Sequence, residues 1–274
     1  MSAAASAVLL VGCGKMGGAL LGGWRGRGVP PERITVVEPA QAAAEAGRER
    51  HGVEVHDEAS ALDPSFQPAV VVVAVKPQVM DRVVPAYRRF AGADTVFLSI
   101  AAGKTIGYFE RQLGAEAAIV RAMPNTPAAV ARGITVACPN SRVTPAQRSL
   151  CGDLLEAVGE VVWIEDEALI DPVTAVSGGG PAYVFLLVEC LARAGEEAGL
   201  PAELAMRLAR ATVCGSGELA YRSSEAASVL RHSVTSPGGT TLEALKVLMA
   251  EDGLQALFTK AIAAATARSR ELAD

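Results

Sequence analysis

The sequence predicts an α/β protein in two parts, a largely parallel sheet wrapped by helices through residue 166 and an all-helical part over 167–274. Three observations carry this prediction. Short β-rich runs alternate with helical stretches through the first part, as chains that build parallel sheets do. One of those runs, Val70-Val71-Val72-Val73, is apolar at every position, which suits a strand covered on both faces. After Ile164-Glu165-Asp166 no further strand-like run occurs, and apolar spacing turns helical.

In chain order the predicted strands are 8–11, 34–37, 53–55, 70–75, 96–100, 119–122, 134–137 and 161–164. Between the first two, Gly12-Cys13-Gly14-Lys15-Met16-Gly17 opens a helix that runs from Met16 to Arg27 and ends at Gly28. In the second part, Val184, Leu187, Val188 and Leu191 fall at i, i+3, i+4 and i+7, a helical stripe. Gly199-Leu200-Pro201 stops one helix and starts the next, with proline near the first turn where it is tolerated. Gly215 and Gly217 interrupt a helical pattern at a cost of ~1 kcal/mol each relative to alanine, and their small size permits close packing. A helix-only domain of about a hundred residues finishes its core well against a second copy, so a homodimer through the C-terminal helices is expected. Beyond the alanine-rich start and Ala42-Ala43-Ala44, no repeat or low-complexity segment stands out.

Composition narrows the function classes. The 274 residues are half hydrophobic and carry a net charge of −5 without Lys/Arg clusters, so a nucleic-acid partner is not expected. Uninterrupted apolar stretches such as 69–75 and 183–188 fall short of the ~20 residues that span a bilayer, and no membrane association is expected. The run 7–11 reads as a strand feeding the glycine loop rather than a signal sequence, and a cytoplasmic location is expected. Cys13, Cys138, Cys151, Cys190 and Cys214 are widely spaced and read as small buried thiols. His51, His56 and His232 lack helical ligand spacing, and no metal site is predicted.

Two segments carry chemistry. In the strand–loop–helix context, Gly12 permits the turn, Gly14 lets a pyrophosphate approach and Gly17 lets the helix pack on the sheet, while the helix start supplies N–H donors. The expected fold of the first part is therefore a Rossmann-type dinucleotide-binding domain. Glu38 ends the second strand about 20 residues further on, where a carboxylate can accept the ribose hydroxyls of NAD and repel the 2′-phosphate of NADP; the plainer alternative is a solvated surface glutamate before Pro39. No arginine follows it before Arg48, so NADH is expected to serve at least as well as NADPH. Near the other end, Val234-Thr235-Ser236-Pro237-Gly238-Gly239-Thr240-Thr241 runs into the helical pattern Leu242-Glu243-Ala244-Leu245. Gly238, Gly239 and Thr240 there could offer backbone N–H groups to a small anion; the plainer alternative is that Thr240 and Thr241 only cap the helix.

With both ends read, the chain resembles the 1-pyrroline-5-carboxylate reductase family. The resemblance rests on 11–17, Ala74-Val75-Lys76-Pro77, Ser99-Ile100-Ala101-Ala102-Gly103, Arg121-Ala122-Met123-Pro124-Asn125-Thr126-Pro127, Ser177-Gly178-Gly179-Gly180-Pro181-Ala182-Tyr183 and 234–241, the last three in this order being specific. It implies hydride transfer from NADH or NADPH to the C=N carbon of a cyclic imino acid, yielding proline. Its cofactor contacts fall on Gly12, Cys13, Gly14, Lys15, Met16, Gly17, Ala74, Val75, Lys76, Pro77, Ala101 and Ala102. Its substrate contacts fall on Ser236, Gly238, Gly239, Thr240 and Thr241, with Thr174 and Ser177 at its hydroxyl positions. Thr241 is the residue nearest a catalytic role. The resemblance also implies dimers with interlocked C-terminal helices, often assembled into decamers. The chain departs from many members at Gly179, where they have serine, at Ala226-Ala227, where they have His-Pro, and at Ser233, an asparagine in some.

An iminium already attracts hydride, so such an enzyme needs alignment more than a strong acid or a metal. Two other readings compete. A β-hydroxyacid dehydrogenase of the 6-phosphogluconate type would need a lysine early in the second part, and none occurs between Lys104 and Lys246. A non-catalytic NAD(P)-binding regulator would keep the first loop but have no need of 236–241.

Overall fold

The computed structural model describes residues 6–273. All eight expected strands are present: β1 (Val8–Val11), β2 (Ile34–Val37), β3 (Glu54–His56), β4 (Val70–Val73), β5 (Val96–Ser99), β6 (Ala118–Met123), β7 (Gly133–Pro139) and β8 (Gly159–Trp163). They form one sheet in the order β3-β2-β1-β4-β5-β6-β7-β8, parallel throughout except between β6 and β7. The chain leaves β1 toward β2 on one side and returns to β4 on the other, so the strand order reverses at β1. Ligands of open α/β sheets bind in the crevice at such a point, beyond the carboxyl ends of the strands.

The two-residue period of the strands divides the core between the two faces. Val8, Leu10, Val36, Val70, Val72 and Leu98 pack with Leu20, Leu21 and Trp24 of α1 (Lys15–Gly26) and with Leu150, Leu154 and Leu155. The intervening residues Leu9, Val11, Val71, Val73 and Phe97 pack on the opposite face with Met80, Phe90 and Phe109. The helices that follow α1 in this half are α2 (Gln41–His51), the short α3 (Met80–Val83), α4 (Ile106–Leu113), α5 (Pro145–Glu156) and the short α6 (Ile170–Val173). Trp24 is fully buried and its indole N–H donates to the Leu154 carbonyl at 2.8 Å, pinning α1 to α5.

The chain folds into two compact units, one running to Gly178 and taking in the stretch from Ala265, the other spanning Gly179–Ala264. The second unit is wholly helical: α7 (Gly180–Glu197), α8 (Ala202–Arg222), α9 (Ala227–Ser233), α10 (Thr240–Leu248) and most of α11 (Leu254–Leu272). Its main internal packing is α7 against α8, tightened where Gly195 meets Ala205. Gly199, at φ +98°, and Pro201 separate the two helices as expected.

Much of this unit's apolar surface is uncovered. Val184, Phe185, Leu186, Leu187 and Leu191 on α7 and Leu204, Leu208 and Leu219 on α8 are all exposed. A Cβ added at Gly215 or Gly217 would meet nothing within 4 Å, so among the described residues these small positions are not packed against another element. The expectation of five buried thiols fails here: Cys13, Cys138 and Cys151 are buried, whereas Cys190 on α7 and Cys214 on α8 are exposed. The expectation that no apolar stretch reaches membrane-spanning length needs the same correction. The helical run Glu167–Glu197 is long and apolar enough by length and composition, although Gly178-Gly179-Gly180-Pro181 interrupts it with helix-breaking residues.

Candidate active site

The glycine loop leaves β1 at the point where the strand order reverses. Gly12 has φ +91°, and a Cβ there would lie 2.9 Å from the Val75 side chain and 3.0 Å from the Ala74 backbone. No other residue fits both the dihedral and the space. Gly17 is constrained differently, since its Cβ would come within 2.2 Å of the Gly12 carbonyl oxygen. Gly14 is exposed, and a Cβ there would meet nothing within 4 Å. It is the N-cap of α1, whose first turn carries no acidic residue and whose first N–H groups have no side-chain cap. A diphosphate fits this cradle, with an open approach over Gly14 and the positive end of a helix beneath it.

Beside the loop lies a cleft of about 790 Å³. Of the residues expected to contact a cofactor, Gly12, Gly14, Glu38, Ala74, Val75 and Lys76 line it. Cys13, Lys15, Met16 and Gly17 belong to the adjoining loop and first turn of α1, and Pro77 opens the 3₁₀ turn after Lys76. Ala101 is buried in the core behind the end of β5, and Ala102 is exposed beside it. The structure adds residues that sequence reading passed over. Asp57, Glu58, Ala59 and Ser60 enter from the end of β3, and Val79, Arg82, Val83 and Tyr87 from the helical segment after β4. Their presence follows from strand order, since β4 lies beside β1 and β3 one strand beyond β2, and each contributes the loop at its carboxyl end.

Glu38 is not a freely solvated surface residue. One carboxylate oxygen accepts the Cys13 N–H at 2.7 Å and the other the Ala40 N–H at 2.8 Å. The carboxylate therefore braces the glycine loop from β2 and sits at the N-terminus of α2. Burial, and secondarily the Glu38 charge, push the Cys13 thiol up from its ordinary range, so it stays neutral in the loop.

The second chemistry-bearing segment is built by turn geometry. Thr235 closes α9 through its hydroxyl, which donates to the Arg231 carbonyl at 2.7 Å. Pro237 and Gly238, the latter at φ +70°, then form a tight turn in which the Gly239 N–H donates to the Ser236 carbonyl at 3.0 Å. Gly239 is the extended N-cap of α10, with no side-chain cap. The capping alternative for the threonines is thus not what the structure shows: Thr240 and Thr241 occupy the first turn, exposed, with their N–H groups at the positive end of the helix. Glu243, acidic in that same turn, is paired with Lys246 at 2.7 Å.

Thr174 and Ser177 lie on a π-helical turn, Thr174–Gly178, in the first unit. Their hydroxyls donate to the carbonyls of Ile170 at 2.7 Å and Val173 at 3.1 Å, which leaves them as acceptors toward any other group. The run into this turn is anchored by Glu167, whose Oε1 accepts from buried Arg121 of β6 at 2.7 Å and from the Ile106 N–H of α4 at 2.8 Å. Such i→i+5 turns inside α-helical runs are frequent at functional sites.

Comparison with known proteins shows the family. The family model for pyrroline-5-carboxylate reductase dimerisation matches residues 167–272. A reductase of this name from Pseudomonas aeruginosa is 41% identical over 269 residues, with 97% of each chain covered. The chain belongs to the pyrroline-5-carboxylate reductase family. Another family relative, from Escherichia coli, is 36% identical over 263 residues and 96% of each chain. Among solved structures, a pyrroline-5-carboxylate reductase from Coxiella burnetii superposes with a TM-score of 0.92 at 36% identity, covering 98% of this chain and 99% of that one. A Plasmodium falciparum pyrroline carboxylate reductase with NADP bound gives 0.82 at 28% identity, covering 98% and 99%. Residues 7–103 also match the family model described as NADP oxidoreductase, coenzyme F420-dependent. A prephenate dehydrogenase from Aquifex aeolicus shares the fold at a TM-score of 0.54 and 17% identity over 97% of this chain and 98% of that one.

Proposed function

We propose that this chain reduces 1-pyrroline-5-carboxylate to L-proline with NAD(P)H, in the cytoplasm and as a homodimer. The observation that carries the reading is that one chain of this family holds both an open, helix-backed glycine cradle and an uncapped, threonine-bearing helix start.

The bound nicotinamide supplies the hydride. The chain's own residues hold the reactants. Gly12 and Gly14 admit the diphosphate, Gly17 lets the helix close on the loop, the first-turn N–H groups at Lys15 and Met16 meet the charge, and Ala74 to Pro77 with Ala101 and Ala102 border the rest of the dinucleotide. On the substrate side, the Gly239 N–H is spent within its own turn. The substrate carboxylate is therefore received by the N–H groups of Gly238, Thr240 and Thr241, with the Ser236 hydroxyl beside them. The Thr241 hydroxyl hydrogen-bonds the ring nitrogen and sets which face of the C=N bond is presented. Thr174 and Ser177, whose hydroxyl protons are donated to the Ile170 and Val173 carbonyls, keep only acceptor capacity and are not suited to bind a carboxylate. As the hydride bonds to carbon, the C=N π pair moves to nitrogen and leaves a neutral secondary amine. Alignment of the two carbons accounts for most of the acceleration such a site can give.

The dimer covers the apolar faces of α7 and α8, and this reading is preferred to a bilayer because the match to the dimerisation model spans the same helices. Assembly of dimers up to a decamer is part of the proposal, read from sedimentation as multiples of the 28.2 kDa chain. The activity is tested by the loss of absorbance at 340 nm on adding pyrroline carboxylate to enzyme and NADH or NADPH. Turnover with proline as product supports the reading. Coenzyme binding without turnover would favour a non-catalytic regulator instead.

A further inference from the structure

The geometry points to Glu38, flanked by Asp57 and Glu58, as a selector that makes this chain prefer NADH and disfavour NADPH. The inference rests on the reading of the chain as an NAD(P)H-dependent reductase and deepens it by naming the coenzyme.

Charge is unevenly placed in the cleft. Its acidic residues arrive from the ends of β2 and β3, as Glu38, Asp57 and Glu58, while its cations, Lys76 and Arg82, come after β4 on the far side of the glycine loop. In a sheet of this topology the adenosine ribose lies at the end of the second strand, so the 2′-position falls at the acidic end. There a ribose hydroxyl donates to carboxylate, whereas a 2′-phosphate brings a second anion against three.

Glu38 has little freedom to move aside. Its two oxygens are held by the Cys13 and Ala40 N–H groups at 2.7 and 2.8 Å, and a swing outward would strand both donors. The same contact takes the Ala40 N–H and sets a carboxylate at the start of α2, where it opposes a second anion. The arginines of α2 cannot compensate. Arg48 and Arg50 lie in its last turn, on the order of 10 Å along the helix from the cleft residues Ala40 and Ala43. Arg48 is moreover committed to the Val55 carbonyl at 2.8 Å, and Arg25 of α1 donates to the carbonyls of His51 and Val29.

The test is equilibrium binding without imine, so that it is independent of turnover. Wild-type protein is titrated with NADH and with NADPH, following nicotinamide fluorescence, at low and high salt. NADH is expected to bind roughly tenfold tighter or more at low salt, and the gap to narrow as salt screens the repulsion. Glu38→Gln, which keeps an acceptor oxygen but removes the charge, should weaken NADH and strengthen NADPH. Glu58→Gln leaves the glycine loop untouched, keeps the test available should the first variant misfold, and should narrow the gap severalfold. Equal affinities, or tighter NADPH binding that weakens with salt, would overturn the inference and assign the phosphate to Lys76 and Arg82. Failure to bind either dinucleotide would overturn it together with the reading beneath it.

Discussion

Replacing Gly14 and Gly17 separately by alanine should divide coenzyme binding from stability, because the two glycines are small for different reasons. At Gly17 the new methyl would sit 2.2 Å from the Gly12 carbonyl oxygen, against an ordinary contact of 3.4–4 Å, so loop and helix must part by at least about 1 Å. Overpacking of that kind costs about 1–3 kcal/mol. A displacement of about 1 Å in a binding cradle is also enough to lose one or two orders of magnitude in function. Gly14→Ala meets no atom within 4 Å, and Gly14 has an ordinary φ of −68°. Alanine is a poorer N-cap than glycine by about 0.5 kcal/mol, and the gain from a stiffer unfolded chain is of similar size, so net stability should hardly change. Its methyl nevertheless occupies the approach to the helix start and should weaken NADH binding roughly tenfold or more. Urea denaturation and dinucleotide titration of both variants measure the two quantities. Wild-type affinity in Gly14→Ala, or wild-type stability in Gly17→Ala, would refute the assignment of these glycines.

Further outcomes follow from other parts of the chain. Thr241→Val should raise KM for the imine and lower kcat while leaving dinucleotide affinity intact, and an unchanged kcat/KM would remove the role given to its hydroxyl. Ala131 has φ +54°, so Ala131→Gly should stabilise the first unit by up to ~1 kcal/mol, as read from urea midpoints; destabilisation would show that its methyl matters more than its dihedral. His51 has its pKa lowered by burial and then by Arg25 and Arg50, so the unfolded chain takes up its proton first as pH falls through about 6.5. Stability contributed above that pH is lost below it, and His51→Asn should reduce the drop in Tm between pH 7.5 and 5.5; an undiminished drop would contradict this. Phe185→Asp on exposed α7 should shift sedimentation toward single chains, and an unchanged mass would place the interface elsewhere.

The sheet was legible because its residues obey local rules. Fully apolar runs such as Val70–Val73 announce strands buried on both faces, and the glycine loop announces the turn out of β1. Strand ends were less so: β4 stops at Val73 because Ala74 and Val75 turn beneath the glycine loop, and β6 and β7 extend beyond their apolar centres because antiparallel pairing carries Met123 and Pro139 with it. What the sequence withheld is long-range. Asp57, Glu58 and Arg82 join the cleft only through strand order, and the two hydrogen bonds that fix Glu38 cannot be read from spacing. The exposure of Cys190 and Cys214 is another such case, since their helical neighbours suggest burial that the single chain does not provide. Around α10 the turn and helix start were predictable from Pro237, Gly238 and Gly239, but the spending of the Gly239 N–H on Ser236 was not.

Hydride transfer to a cyclic imine can be followed by isotope tracing. Enzyme is incubated with pyrroline carboxylate and a dinucleotide carrying deuterium at the transferable nicotinamide position, and the product is analysed by mass spectrometry. The expected product is proline bearing a single deuterium on the ring carbon that was doubly bonded to nitrogen. Absence of labelled proline from protein shown to bind both dinucleotide and imine would contradict it.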